Sequence, residues 1–241
     1  MNKISEGIYM ISGRDEMLPD CHTYILGMPG SKDLTMIDAG LVGKWNHKLK
    51  SIRESGVDPE DIKRVIMTHT HLDHSGCLPE IFRDLPDAEL WVHAVEGTQL
   101  EEGDERTVYG MAMFKIMCQG QYRLKDGEYK MKVHRKLNDG DELKIGGMAW
   151  VVIHIPGHSA GSIALYDNVK KILIPGDVVY ADHAIGRYDL HGADPAQHLD
   201  SITLLSDLDV KMLLPGHNRI MNHVPDGYIK ETLEQWKYYL R

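Results

Sequence analysis

The chain has 241 residues, which is long enough for one α/β domain with a sizeable core. Its formal net charge of −9 argues against nucleic acid or an anionic membrane surface as a partner, and no apolar run reaches the roughly 18 residues of a membrane span. The three cysteines lack close spacing and residues 1–16 lack a signal-peptide pattern, so we expect no disulfide framework and a reducing, cytoplasmic setting.

Short apolar segments of strand length open the chain, at 8–11, 23–26 and 34–37. The stretch 27–32 contains glycine and proline and predicts a hairpin turn between the last two strands. From 43 to 54 apolar side chains recur every three or four residues, which is typical of a surface helix. A strand at 65–67, helix signals at 76–83 and a strand at 90–92 follow.

The middle of the chain, at about 96–141, differs because methionines crowd the stretch GMAMFKIMCQG at 110–120. The pattern fits an amphipathic helix that packs on the domain. It also fits a lid or a pocket wall, because the unbranched methionine side chain adapts to varied apolar ligands. A contact between the two copies of a homodimer is a further alternative for this helical insert.

Strands return after the insert, at 143–145, 149–155, 162–166, 172–174 and 211–214. Helices are predicted at about 195–206 and 228–240. No repeat, low-complexity tract or linker interrupts this order. The sequence therefore predicts a single domain over residues 1–241.

Four side chains that can ligate a metal ion lie within residues 69–74, directly after the strand at 65–67. They are His69, His71, Asp73 and His74. The chain has 14 histidines, but scattered surface histidines rarely place four ligating side chains at this spacing. The stretch THTHLDH therefore predicts half of a metal site.

Three further ligands follow strands in a shared pattern of apolar strand, Pro-Gly and ligand. They are His158 in IPGHSAGS, Asp177 in ILIPGDVVY and His217 in LLPGHN. Glycine lets the backbone turn sharply, so the ligand projects from a rigid strand end. Imidazoles with carboxylates suit Zn, Mn, Fe or Ni, and seven ligands are too many for one tetrahedral ion. The set predicts two divalent ions that share a carboxylate and a water.

These motifs, preceded by IDAG at 37–40, resemble those of the metallo-β-lactamase superfamily over residues 38–217. The resemblance implies an α/β fold, the αββα sandwich, with a two-metal site along one edge of its sheets. It also implies the following ligands: His69, His71 and His158 for the first metal, Asp73, His74 and His217 for the second, and Asp177 as the bridge. Asp38 corresponds to a carboxylate that orients the ligand loop. Zinc is the expected metal, with iron or manganese as alternatives.

The resemblance further implies a hydrolase that acts on a small molecule. Two ions that share a water make hydroxide available near neutral pH, and this bridging hydroxide attacks a carbonyl polarised by one metal. Asp73 can accept the proton of the nucleophile and pass it to the leaving group. Such sites hydrolyse thioesters, esters, lactones, lactams or phosphoesters, so the fold alone does not choose among them.

Comparison with individual branches of the superfamily narrows the choice of reaction. True β-lactamases lack the bridging aspartate, nucleic-acid-processing members usually carry basic arms, and flavodiiron reductases typically have Glu in place of His71. Glyoxalase II-like thioesterases share the motifs, but too few residues follow His217 for their helical glutathione-binding domain. Acyl-homoserine-lactonase-like members share all seven ligands and a tyrosine three residues beyond the bridge, matched here by Tyr180. The Tyr180 phenol is either an oxyanion donor or a buried strand-end aromatic.

One rival reaction class remains open. Persulfide dioxygenase-like members bind a single iron through positions equivalent to His69, His158 and Asp177, with open coordination. A non-catalytic metal-binding scaffold is a third alternative, which fits an intact set of seven ligands poorly. The sequence therefore predicts a dinuclear metal-dependent hydrolase of a small thioester, ester or lactone, with the mononuclear-iron dioxygenase as the alternative.

Overall fold

Seven strands form the first of two β-sheets in the computed structural model, which describes residues 1–14 and 18–240. In spatial order they are β1 Asn2–Ser5, β2 Ile8–Ile11, β3 Thr23–Leu26, β4 Leu34–Ile37, β5 Ile62–Ile66, β6 Glu89–His93 and β7 Arg135–Leu137. Strands β1 to β4 pair antiparallel, whereas β4 to β7 pair parallel. The turn predicted at 27–32 lies between the paired strands β3 and β4.

Five strands form the second sheet, in the spatial order β12-β11-β10-β9-β8. They are β8 Glu142–Ile145, β9 Met148–His154, β10 Ile163–Asp167, β11 Ile172–Ile174 and β12 Met212–Leu213. Strands β8 to β11 pair antiparallel, and β12 joins β11 in parallel. The sequence predicts all five of them to within a few residues.

The two sheets pack face to face because alternate side chains of their strands meet in a shared core. Tyr24 and Leu26 of β3 enter this core from the first sheet, and Leu165 of β10 enters it from the second. The intervening Ile25 and Ala164 face outward and belong to two further cores, one on each outer face. Both faces of each sheet are therefore covered, which explains why these strands are continuous apolar runs in the sequence.

Helices form the outer layers of the molecule. Their bounds are α1 Trp45–Glu54, α2 Leu72–Ser75, α3 Leu78–Asp84, α4 Ala94–Glu102, α5 Arg106–Tyr109, α6 Ala112–Tyr122, α7 Pro195–Ser206 and α8 Tyr228–Trp236. Trp45 and Ile52 of α1 pack outside the first sheet, and Ile202 of α7 packs outside the second. The layers run helix, sheet, sheet, helix, so the predicted αββα sandwich is confirmed. Within the described ranges, every helix is too short or too polar to cross a bilayer.

The segment at about 96–141 holds more than helices. Helices α4, α5 and α6 occupy it as far as Tyr122, but β7 then joins the first sheet beside β6. On α6, Phe114 packs against the outer core of the first sheet, whereas Met113 and Ile116 are 74% and 67% exposed. Only part of the apolar surface of α6 is therefore covered by the domain.

Strand ends bring the predicted ligands to one edge of the sandwich. The carboxyl ends of β5, β11 and β12 lead into ligand loops, and the end of β4 leads into Asp38. The backbone N–H of Ile163 donates to the oxygen of Thr68 (2.8 Å), and that of Gly216 donates to the oxygen of Gly176 (2.9 Å). The first of these bonds joins the two sheets directly beside the ligand loop.

Candidate metal centre

Asp38 organises the loop that follows β5. Its carboxylate accepts hydrogen bonds from the backbone N–H of Thr68 (2.7 Å), the hydroxyl of Thr68 (2.8 Å) and Nδ1 of His74 (2.9 Å). The Thr68 hydroxyl in turn accepts from Nδ1 of His69 (3.1 Å). Because both Nδ1 atoms donate in this way, His69 and His74 turn their Nε2 atoms toward the site.

Three imidazoles form the first cluster. Nε2 of His158 lies 3.1 Å from Nε2 of His69 and 2.9 Å from Nδ1 of His71. The outer nitrogen of His158, Nδ1, donates to the backbone oxygen of Arg187 (2.7 Å). Burial lowers the pKa of all three histidines, that of His71 to about 3, so the three rings are neutral at pH 7.

The short distances between these nitrogens suit a bound cation. Lone pairs of neutral imidazoles repel one another unless a proton or a metal ion lies between them. The N–H groups of His69 and His158 are already used outside the cluster, so they supply no such proton. Neutral imidazole is also the form that ligates metals. The cluster is therefore able to hold a metal ion.

Two carboxylates and two imidazoles form the second cluster, Asp73, His74, Asp177 and His217. Nε2 of His217 lies 3.1 Å from Oδ2 of Asp73 and 3.2 Å from Nε2 of His74. Burial opposes protonation of His217, but Asp177 and Asp73 outweigh it and raise its pKa to about 11. Burial likewise opposes ionisation of Asp177, but His217 and His74 hold its pKa well below the ordinary value. Opposite charges thus gather these donors around a second position able to hold a metal ion.

Asp177 lies between the two clusters. Its Oδ1 is 3.1 Å from Nε2 of His74, and its Oδ2 is 3.4 Å from Nε2 of His217 and 3.8 Å from Nε2 of His158. The preceding Gly176 has a φ of 53°, and a Cβ there would lie 2.6 Å from the hydroxyl oxygen of Thr68. With this turn, the structure brings together all seven side chains that the sequence predicts as ligands.

A cavity of about 380 Å³ opens onto both clusters. Its apolar wall is formed by residues from four separate segments, Leu18, Leu41, Phe114, Ile185 and Leu190. Arg187 also lines the cavity, where its guanidinium pairs with the carboxylate of Asp189 at 2.7 and 2.9 Å. The cavity therefore combines an apolar wall with the polar side chains of the clusters, which is typical of a small-molecule site.

Tyr180 lines the same cavity and is 7% exposed. Its ring centroid lies 6.3 Å from that of His217. Burial, together with the charge of Asp177, raises the pKa of Tyr180 well above its ordinary value, so the phenol is protonated at neutral pH. Tyr180 is both a buried aromatic and a hydroxyl beside the clusters, so the two alternatives drawn from the sequence do not exclude each other.

Two supporting residues act on the ligand loops from distant segments. Nε2 of His22 donates to the backbone oxygen of Asn218 (2.6 Å) and so holds the loop that carries His217. Glu96, in the first turn of α4, is 1% exposed and lies against the other ligand loops. Neither residue belongs to a spacing pattern. Glu96 alone gives a weak signal of a role in the site, because it is a carboxylate that closely follows the end of β6.

The family model of the metallo-β-lactamase superfamily matches residues 18–217. The chain belongs to this superfamily. Among its curated superfamily relatives, the probable metallo-hydrolase YqgX of Bacillus subtilis is 31% identical over 197 residues, which are 80% of the chain and 82% of the relative. The human acyl-coenzyme A thioesterase MBLAC2 is 30% identical over 162 residues, which are 63% of the chain and 56% of the relative. The matched part is thus little more than half of MBLAC2.

Solved structures of superfamily members share the fold. The BLEG-1 B3 metallo-β-lactamase has a TM-score of 0.69 at 22% identity, covering 93% of this chain and 96% of that one. TTHA1623, crystallised in a di-iron-bound form, has a TM-score of 0.68 at 24% identity, covering 93% and 98%. At these identities the likeness shows the fold alone. The prediction of the superfamily is confirmed. The prediction of a metal-dependent hydrolase is also confirmed, without its substrate.

Proposed function

We propose that this protein is a dinuclear metal-dependent hydrolase of a small thioester, ester or lactone. The observation that carries the proposal is the place of Asp177, whose carboxylate lies within 3.8 Å of a nitrogen of each cluster: Oδ1 faces His74, and Oδ2 faces both His217 and His158. One ion would be held by three imidazoles and the other by Asp73, His74 and His217, with Asp177 shared. Imidazole and carboxylate donors favour zinc, with iron or manganese as alternatives.

The side chains around the cavity have separate tasks in this proposal. Bound divalent ions supply Lewis acidity, which activates water near neutral pH and polarises a carbonyl. Asp73 lines the cavity, where its carboxylate accepts the proton of the nucleophile and returns it to the leaving group. Tyr180 stays protonated and donates a hydrogen bond to the oxyanion. His22 and Asp38 keep the ligand loops in place.

The apolar wall of the cavity supports an acyl group as part of the substrate. Phe114, Ile185 and Leu190 offer carbon surface beside the clusters, whereas Arg187 is the basic side chain of the lining. A relative named as an acyl-coenzyme A thioesterase is 30% identical, which favours a thioester among the three substrate classes. The cysteines of the chain are buried and free, in keeping with the proposed cytoplasmic setting.

The dioxygenase alternative would use a single iron at His69, His158 and Asp177. His71 argues against that arrangement, because its Nδ1 lies only 2.9 Å from Nε2 of His158 and would have to remain outside the ligand set. The second cluster is as complete as the first. Because dioxygenase-like members also retain most residues of the second site, the place of His71 is the observation that favours two ions and hydrolysis.

The deciding experiment measures the metal content of the purified protein by inductively coupled plasma mass spectrometry. A screen of an acyl thioester, a simple ester and a homoserine lactone accompanies it. We expect about two equivalents of zinc, manganese or cobalt together with hydrolysis. One equivalent of iron with oxygen uptake and no hydrolysis would overturn the proposal in favour of the dioxygenase.

Replacing the proposed proton carrier, Asp73→Ala, is expected to reduce kcat by about 10²–10⁴-fold, because it removes both a ligand and the general base. Initial rates on the best substrate of the screen measure this loss. Asp226→Ala is the matched control, since this carboxylate pairs with Lys211 on the surface, away from the cavity. Near-normal turnover of the Asp73 variant would contradict the mechanism.

A further inference from the structure

A buried carboxylate lies behind the first cluster and takes no part in the chemistry described above. Glu96 is 1% exposed and is not among the residues that line the cavity. Within residues 1–14 and 18–240, the structure gives it no ion-pair partner. A charged group buried without a counter-charge is costly unless several hydrogen bonds satisfy it, so its neighbours indicate its role.

The hydrogen bonds of Glu96 come from two loops. Oε2 accepts from the hydroxyl of Thr70 (2.9 Å), and Oε1 accepts from the backbone N–H of Gly161 (3.0 Å). Burial raises the pKa of Glu96, and the nearby polar groups of Ser159, Gly161 and Thr70 oppose this rise. A Cβ at position 161 would lie 2.6 Å from Cγ of Glu96, so the backbone approaches the carboxylate closely only because residue 161 is glycine.

These donors are the chain neighbours of the first cluster. Thr70 lies between His69 and His71, and Gly161 follows His158 by three residues. We propose that Glu96 is a positioning residue that joins the two loops of the first cluster and sets the distance between their imidazoles. The proposal rests on the metal centre of the proposed function, and it adds a residue that holds that centre in shape without touching metal or substrate.

The position requires a carboxylate rather than an amide. Each oxygen of Glu96 accepts one hydrogen bond from a ligand loop. In Glu96→Gln the amide nitrogen cannot accept a hydrogen bond, so at least one buried donor of a ligand loop loses its partner. The loop then relaxes toward another partner, and the imidazoles of the first cluster are no longer held at their present distances.

The test is metal affinity, measured on wild type and Glu96→Gln by Co²⁺ titration in visible absorption and by competition with a chelator for Zn²⁺. We expect one of the two equivalents to bind about 10- to 100-fold more weakly in the variant, as is usual when a group that orients ligands is lost. The other equivalent keeps its affinity, because the donors around Glu96 adjoin only the first cluster. Glu101→Gln is the control on the same helix, where the carboxylate pairs with Lys136 at the surface.

Circular dichroism of the metal-free proteins separates positioning from folding. A Glu96→Gln variant that is folded and binds both equivalents as wild type does would overturn the proposal, and so would equal weakening of both. If this variant fails to fold, Thr70→Val carries the test, since it removes one of the two hydrogen bonds to Glu96 and is expected to weaken the same equivalent less. Failure of the wild type to bind two equivalents would instead count against the proposed function.

Discussion

Asp38 has a positive φ of 59°, a conformation that costs a non-glycine residue about 1–2 kcal/mol. Three hydrogen bonds from Thr68 and His74 hold it there. The same three bonds orient His74 directly and His69 through the hydroxyl of Thr68. A strained backbone at one residue is thus compensated by the contacts that aim one imidazole at each cluster.

Tyr180 offers the sharpest test at the scale of one residue. We expect Tyr180→Phe to lower kcat on a lactone by about 10- to 100-fold, because the oxyanion loses a hydrogen-bond donor. The loss on a thioester is expected to be smaller, since its thiolate leaving group departs more readily. Steady-state rates on both substrates measure the difference.

The control for that variant is Tyr166→Phe. Tyr166 is also a buried tyrosine, but its hydroxyl donates to the backbone oxygen of Asp209 in the outer core of the second sheet. An unchanged lactone rate in Tyr180→Phe would show that Tyr180 serves packing alone. The resemblance to lactonase-like members at this position would then carry no functional meaning.

The side chains that meet in the two clusters could be predicted residue by residue because their chemistry repeats in a pattern. Four lie within one short stretch, and the others share the Pro-Gly context. Glu96 could not be predicted, because an acidic residue in the first turn of a helix is ordinary. Its role follows from burial against two loops that are distant in sequence.

At the scale of elements, the change from strand to helix after β5 separates the ligands. His71 has extended backbone angles, φ −56° and ψ 150°, and α2 begins at the next residue. Asp73 and His74 therefore lie on a helical turn, whereas His69 lies before it, so the stretch serves two clusters. From the sequence, the first helix after this strand was expected at about 76. Helix α2 was not predicted because it depends on distant contacts, such as the backbone N–H of Gly40 donating to the backbone oxygen of His74 (2.7 Å).

Strand β7 is an element that the sequence did not reveal. Its three residues, Arg135–Leu137, have no alternation of apolar and polar side chains long enough to read. It exists because the edge of β6 offers free backbone groups for parallel pairing. Strands covered on both faces, such as β3 and β10, were predictable because burial fixes their composition.

Helix α6 is expected to contribute to binding through Phe114. Replacing Phe114 by Ala should raise KM for an acyl substrate by about 10-fold with little change in kcat, because the ring lines the cavity but lies outside the clusters. Ile116→Ala on the exposed side of the same helix is the control for KM. A KM unchanged in the Phe114 variant would contradict the role of α6 as a pocket wall and would leave the dimer contact to be tested by light scattering.

At the scale of the whole molecule, both sheets contribute donors to each cluster. His69 and His71 follow β5 of the first sheet, whereas His158 follows β9 of the second. In the second cluster, His74 comes from the first sheet and His217 from the second. A bound ion would therefore join two parts of the sandwich that unfold together, and its binding energy adds to the stability of the folded chain.

Metal removal should consequently lower thermal stability. With free zinc at 100 times its dissociation constant, mass action stabilises the folded state by about 2.7 kcal/mol, which for a chain of this size raises Tm by about 5–10 °C. Calorimetry with zinc and with excess chelator measures the shift, and His158→Ala is expected to reduce it. Equal Tm values under both conditions would show that the clusters do not bind zinc in the folded state.

The walls of the cavity and its donors belong to different parts of the backbone. The donors follow the ends of strands that are fixed by the three cores, whereas Leu18, Phe114 and Leu190 come from a loop, a partly uncovered helix and a second loop. Mutations in the walls can accumulate without disturbing the reactive groups. Selectivity and reactivity can therefore evolve independently in this protein, and a library confined to the wall positions is the natural starting point for changing the substrate that it accepts.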